Sequence, residues 1–138
     1  MEGNKSYLLD TSAIFCLKDD EDGASKVEEI LENAKKRHTK VIVSFMTLME
    51  YLYICMMRYG EECARQNYLQ LTLLPIEIVE SDEELRVLAA ELKAKHNISV
   101  ADAWIAATAK IMNAVLVHRD PEYKSLSNII KCLELPYK

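Results

Sequence analysis

Four carboxylates stand out by their position in the chain: Asp10 in Leu8-Leu9-Asp10-Thr11-Ser12, Glu50 in Thr47-Leu48-Met49-Glu50-Tyr51, Asp102 in Ser99-Val100-Ala101-Asp102-Ala103-Trp104, and Asp120 in Val117-His118-Arg119-Asp120-Pro121. Glu50 is the only charged residue between Phe45 and Met57, and Asp102 is the only one between Ser99 and Thr108. A lone carboxylate in so apolar a stretch is costly unless it is paired or binds a cation. Hard divalent ions take oxygen ligands, and Mg²⁺ favours a few carboxylates together with water and substrate phosphates. One or two such ions can activate a water and stabilise charge on a phosphodiester and its leaving oxygen. Zinc does not fit, because His38, His96 and His118 are far apart in sequence and no HxxxH or Cys/His pairing occurs.

Plainer readings of the same residues exist. Thr47-x-x-Glu50 and Ser99-x-x-Asp102 match the capping box that opens helices. Asp120 before Pro121 suits an N-cap with proline at the first helical position. Ser25-x-x-Glu28 and Ser81-x-x-Glu84 match the same box in ordinary amphipathic segments, and are read as plain caps. What favours chemistry is the joint placement of the four carboxylates, which follows from the elements around them.

Short β-like runs alternate with longer helical patterns. Residues 6–9, 40–44, 76–79, 114–118 and 129–133 read as strands, and residues 25–38, 46–59, 61–73, 81–95 and 99–113 read as helices. Gly60 and Pro75 stop two of the helices. This alternation implies βαβ units: an α/β fold, a three-layer α/β/α sandwich on a central, mainly parallel sheet, with one domain over 1–138. In such sheets the strand carboxyl ends and helix N-termini share one edge, where ligands bind. All four carboxylates fall at that edge.

Composition narrows the function. With 138 residues, half of them hydrophobic, the chain can bury a core of its own. Three glycines cannot build a phosphate cradle of the Walker or dinucleotide kind. A net charge of −5 argues against nucleic-acid binding through phosphate neutralisation alone, so contact with nucleic acid needs a local basic patch or metal ions. The basic run from Lys35 to Lys40 is such a patch in outline, although a solvated helix end is the plainer reading. Cys16, Cys55, Cys63 and Cys132 form no CxxC pair, and no signal peptide or membrane span is apparent, so a cytoplasmic protein is expected.

The order Leu8-Leu9-Asp10-Thr11-Ser12, Thr47-Leu48-Met49-Glu50, Val100-Ala101-Asp102-Ala103-Trp104-Ile105-Ala106-Ala107-Thr108-Ala109 and Leu116-Val117-His118-Arg119-Asp120 resembles the PIN-domain family, most of all its VapC-type toxin ribonucleases. The resemblance runs from about residue 6 to 133. It implies RNA cleavage dependent on Mg²⁺ or Mn²⁺ and control by a small antitoxin. It also implies metal-ligand roles for Asp10, Glu50, Asp102 and Asp120, with the hydroxyls of Thr11 and Ser12 supporting the first aspartate. His118 and Arg119 are candidate substrate contacts, with a structural histidine the alternative. The chain departs from the family at His118, where Ser or Thr is usual two residues before the last aspartate.

The segment Met46–Met57 is apolar almost all round and must be covered on every side. Residues 61–73 can cover one face. The resemblance points to a homodimer through this helix, with an antitoxin helix in a nearby groove. The competing function from another class is a catalytically silent PIN-like scaffold that binds a protein partner or RNA. Aspartyl phosphoryl transfer fits less well, because Ser12 stands where haloacid dehalogenase phosphatases need a second Asp, and receiver domains need a late lysine near the acid pocket whereas Asp120 is followed by Pro121-Glu122.

Overall fold

The structure, a computed structural model, describes residues 5–137. Side chains of neighbouring strand residues go to opposite faces of a sheet, and the core divides along that alternation. Leu9, Val41, Val43 and Val117 enter one hydrophobic cluster, whereas Leu8, Ile42 and Leu116 enter another on the opposite face. The strands are β1 (Ser6–Leu9), β2 (Lys40–Ser44), β3 (Glu77–Val79), β4 (Val115–His118) and β5 (Cys132–Glu134). They form one sheet in the order β3-β2-β1-β4-β5, and every pairing is parallel.

Helices α1 (Thr11–Lys18), α2 (Ala24–Lys35), α3 (Phe45–Tyr59) and α4 (Glu61–Thr72) build the first cluster. Helices α5 (Glu83–Lys95) and α6 (Val100–Ile111) build the second, together with a 3₁₀ helix at Pro121–Leu126. The expected three-layer α/β/α sandwich is therefore the fold. The chain lays down β1, β2 and β3 outward in one direction and then crosses to β4 on the other side of β1. The strand order reverses between β1 and β4, which is where a crevice opens at the carboxyl ends of a parallel sheet. Asp10 follows β1 and Asp120 follows β4, so both fall at that point.

Several local expectations are corrected. Helix α1 has no counterpart in the sequence reading: it has no amphipathic pattern because Ala13, Ile14, Phe15 and Cys16 are all buried. Helix α3 begins at Phe45 with Ser44 as its N-cap, whose side chain accepts the Met46 N–H at 3.1 Å. Thr47 is therefore no cap, and Glu50 lies in the second turn rather than the first. The two control boxes fail as well. Helix α2 is capped by Gly23 without a side-chain hydrogen bond, and α5 by Asp82, which accepts the Leu85 N–H at 2.9 Å. Gly23 has a left-handed φ of 101°, and a Cβ there would meet Leu135 Cβ at 3.2 Å and Pro136 Cδ at 3.1 Å. The last strand lies three residues later than its expected start.

Helix α4 packs along α3, covering one side of it as expected of residues 61–73. Met49, Tyr53 and Met57 of α3 remain exposed, Met57 to 80%. Among the described residues, no helix is long and apolar enough to cross a membrane.

Candidate active site

The site is assembled from the two strand ends that flank the reversal and from the N-terminal ends of α1 and α6. Asp10 is the N-cap of α1, and Ser12 donates both its backbone N–H, at 3.0 Å, and its hydroxyl to Asp10 Oδ2. The same Ser12 Oγ accepts the Arg119 backbone N–H at 2.9 Å, tying the loop after β4 to the loop after β1. Thr11 is placed differently from the sequence expectation. Its hydroxyl donates to Glu50 Oε1 at 2.7 Å, orienting Glu50 rather than Asp10.

Asp102 lies in the first turn of α6, whose N-cap is Ser99; the Ser99 hydroxyl oxygen accepts the Asp102 N–H at 3.0 Å. A full capping box would return the Asp102 carboxylate to the Ser99 N–H. Instead that N–H donates to Glu122 Oε1 at 3.1 Å. The Asp102 side chain is thereby released from capping duty. It is 6% exposed, and its Oδ2 is buried with no hydrogen-bond partner among the described residues.

Two residues that the sequence reading missed complete the site. Glu122 contributes a carboxylate oxygen that lies within 4.8 Å of one from Asp102 and one from Asp120. Asp120 caps the 3₁₀ helix, accepting the Glu122 N–H at 3.0 Å. Tyr123, fully buried, brings its hydroxyl to 2.7 Å from Asp10 Oδ1 and 2.9 Å from Asp102 Oδ1. The signal was present in Asp120-Pro121-Glu122-Tyr123: a proline after a cap starts a 3₁₀ turn, and its three-residue repeat brings i and i+3 to one side.

The electrostatics are those of crowded, buried acids. Burial raises Asp102 to about 8, with the charges of Asp10 and Asp120 adding to the effect. Burial likewise raises Asp10, opposed by its hydrogen bonds from Ser12 and Tyr123. Glu50 is also raised, chiefly by burial and then by the charges of Asp10 and Asp120, against the Thr11 hydrogen bond. A tyrosine hydroxyl carries one proton. It therefore donates to one of the two carboxylates at a time.

His118 and Arg119 are both engaged inside the protein rather than open to a substrate. His118 is buried, and its Nδ1 accepts the Asp120 N–H at 3.1 Å. Its ring packs 4.9 Å from that of Tyr123, and burial holds its pKa below the usual value. The Arg119 guanidinium pairs with Glu21 in the turn between α1 and α2. The basic run from Lys35 lies at the other edge of the sheet, where Lys40 pairs with Glu77 at 2.9 Å. A groove of about 460 Å³ opens there, lined in part by Arg37, Lys40 and Ile76, and none of the four carboxylates borders it.

A divalent cation fits these residues: three carboxylate oxygens converge from Asp102, Asp120 and Glu122, and one buried Asp102 oxygen has no partner among the described residues. Comparisons with known proteins agree with the architecture. The fold is shared with VapBC2 from Rickettsia felis, solved with a DNA fragment from its promoter: TM-score 0.74 and 20% identity over 95% of this chain and 99% of that one. It is shared with DNA-bound VapBC from Salmonella typhimurium: TM-score 0.72 and 19% identity over 94% and 98%. VapBC-1 from nontypeable Haemophilus influenzae gives a TM-score of 0.70 and 20% identity over 94% and 97%. No curated protein matches the chain by sequence. The sequence profile of the PIN domain matches residues 7–129, nearly the whole chain, and with the four acids gathered at the β1/β4 crevice the chain belongs to the PIN domain family.

Proposed function

We propose that this protein is a divalent-metal-dependent endoribonuclease, the toxin of a toxin–antitoxin pair. The observation that carries the reading is the convergence of carboxylate oxygens from Asp102, Asp120 and Glu122, with the buried Asp102 Oδ2 lacking a hydrogen-bond partner among the described residues. Membership of the PIN domain family and a fold shared with toxin–antitoxin complexes support it. Asp10, Glu50, Asp102 and Asp120 would hold Mg²⁺ or Mn²⁺, with Glu122 as a further acid at the same edge. When bound, the ion supplies a more acidic water and neutralises charge on the phosphodiester.

The chain's own groups prepare the site for that chemistry. Ser12 fixes the Asp10 carboxylate through two donors, and Thr11 aims Glu50. His118 stands where the family usually has Ser or Thr, yet it takes up the Asp120 N–H and so orders the last acid. That contact favours an active nuclease over a silent scaffold. An acidic pocket needs the cation to admit an anionic backbone, which reconciles an RNA substrate with the net charge of −5.

The exposed Met49, Tyr53 and Met57 on α3 support a homodimer through this helix, with an antitoxin segment docked nearby. The test of the function is cleavage of single-stranded RNA by the purified protein in Mn²⁺ or Mg²⁺. Cleavage is expected only with the ion and is lost in Asp10→Asn. Undiminished cleavage in excess chelator overturns the reading.

A further inference from the structure

Asp10 and Asp102 reach the site from elements on different faces of the sheet, and one side chain touches both. The Tyr123 hydroxyl lies 2.7 Å from Asp10 Oδ1 and 2.9 Å from Asp102 Oδ1. Its ring has no freedom to move aside. Tyr123 is 0% exposed, packs against His118 with ring centroids 4.9 Å apart, and belongs to the same apolar cluster as Leu126 and Ile130. We propose that Tyr123 is a positioning residue for the cation: its hydroxyl fixes the Oδ1 atoms of Asp10 and Asp102 and leaves Asp102 Oδ2 available as a ligand.

Two like-charged carboxylates in a buried crevice would otherwise turn apart or take a partner of their own. A single hydroxyl held rigidly between them, donating to one carboxylate at a time, sets their separation before any ion arrives. It does so through one oxygen of each, and every carboxylate oxygen keeps a second lone pair for a ligand. Hydrogen-bond partners of metal ligands act in this way generally, and their loss costs roughly 10–100-fold in metal affinity. The inference rests on the carboxylate cluster holding a divalent ion, as proposed above.

The experiment is calorimetric titration of Mn²⁺ into wild type, Tyr123→Phe and Leu126→Val, each checked for folding by circular dichroism and thermal melting. Phenylalanine keeps the buried ring and removes only the hydroxyl. Leu126→Val loosens the packing of the same 3₁₀ helix without touching a carboxylate. Tyr123→Phe is expected to bind Mn²⁺ about 10–100-fold more weakly. Leu126→Val is expected to melt earlier and bind within about twofold of wild type. Tyr123→Phe binding within twofold of wild type overturns the proposal, as does an equal loss in Leu126→Val, since packing would then explain it. A Tyr123→Phe protein that no longer folds also overturns it, by assigning the hydroxyl to the fold. Wild type that binds no Mn²⁺ overturns the metal centre itself, and so separates failure of the functional reading from failure of this one.

Discussion

Asp102 is raised to about 8 from an unfolded value near 3.8, and Asp10 and Glu50 shift in the same direction. Each holds its proton more tightly when folded than when unfolded. Stability from Asp102 is therefore fully present below the unfolded value and is lost as pH rises through about 8. His118 acts oppositely: its folded value is lowered from 6.5, so its contribution is lost as pH falls below that value. Between pH 7 and 8 the aspartate governs. In chelator, the melting temperature is expected to fall across this interval, and Asp102→Asn should flatten the fall while melting higher than wild type at pH 8. Thermal melting in the two buffers decides it; a wild-type melting temperature that rises from pH 7 to 8 would show that Asp102 ionises freely. Mn²⁺ should stabilise wild type more at pH 8 than at pH 7, because less proton has to be displaced.

Helix α3 separates what a residue does for its element from what it does for the site. Ser44 caps the helix, whereas Glu50 in the second turn accepts only from Thr11 among the hydrogen bonds found. Ser44→Ala should cost about 1 kcal/mol, a loss visible in melting. Glu50→Gln should instead leave melting in chelator level or higher, since one of several crowded acids is neutralised, while RNA cleavage in Mn²⁺ falls at least about a hundredfold. Normal cleavage by a Glu50→Gln protein that melts well below wild type would make Glu50 structural. The five strands and five of the six helices were legible because β-branched runs and helical periodicity mark them. Helix α1 was not, since a helix buried nearly all round carries no period to read. The capping motifs misled for a different reason: Ser-x-x-Glu is common on any charged helix, and the caps are Gly23, two residues before Ser25, and Asp82, one residue after Ser81. Asp10, Glu50, Asp102 and Asp120 could be placed at one edge from topology alone. Tyr123 and Glu122 were missed because a six-residue 3₁₀ helix aims them: Asp120-Pro121 marks where that turn starts, but not which of its side chains it brings to the acids.

At the scale of the molecule, α3 turns one face to α4 and the core and leaves Met49, Tyr53 and Met57 outside. Met56, by contrast, packs against the core cluster. The variant suited to testing a dimer is therefore Met49→Lys with Met57→Lys, which spares the fold. Sedimentation should show a wild-type dimer and a monomeric double variant with unchanged circular dichroism, and a wild type that stays monomeric at high concentration would refute the dimer. The reversal of strand order at β1 has a temporal consequence during synthesis. Tyr7 of β1 finds one neighbour in Val41 and the other in Val115. A ribosome thus finishes β1, β2, β3 and all six α-helices while β1 still lacks its second neighbour. Asp120, Glu122 and Tyr123 emerge only after β4, so the acidic centre cannot assemble until that strand has been made and has paired with β1.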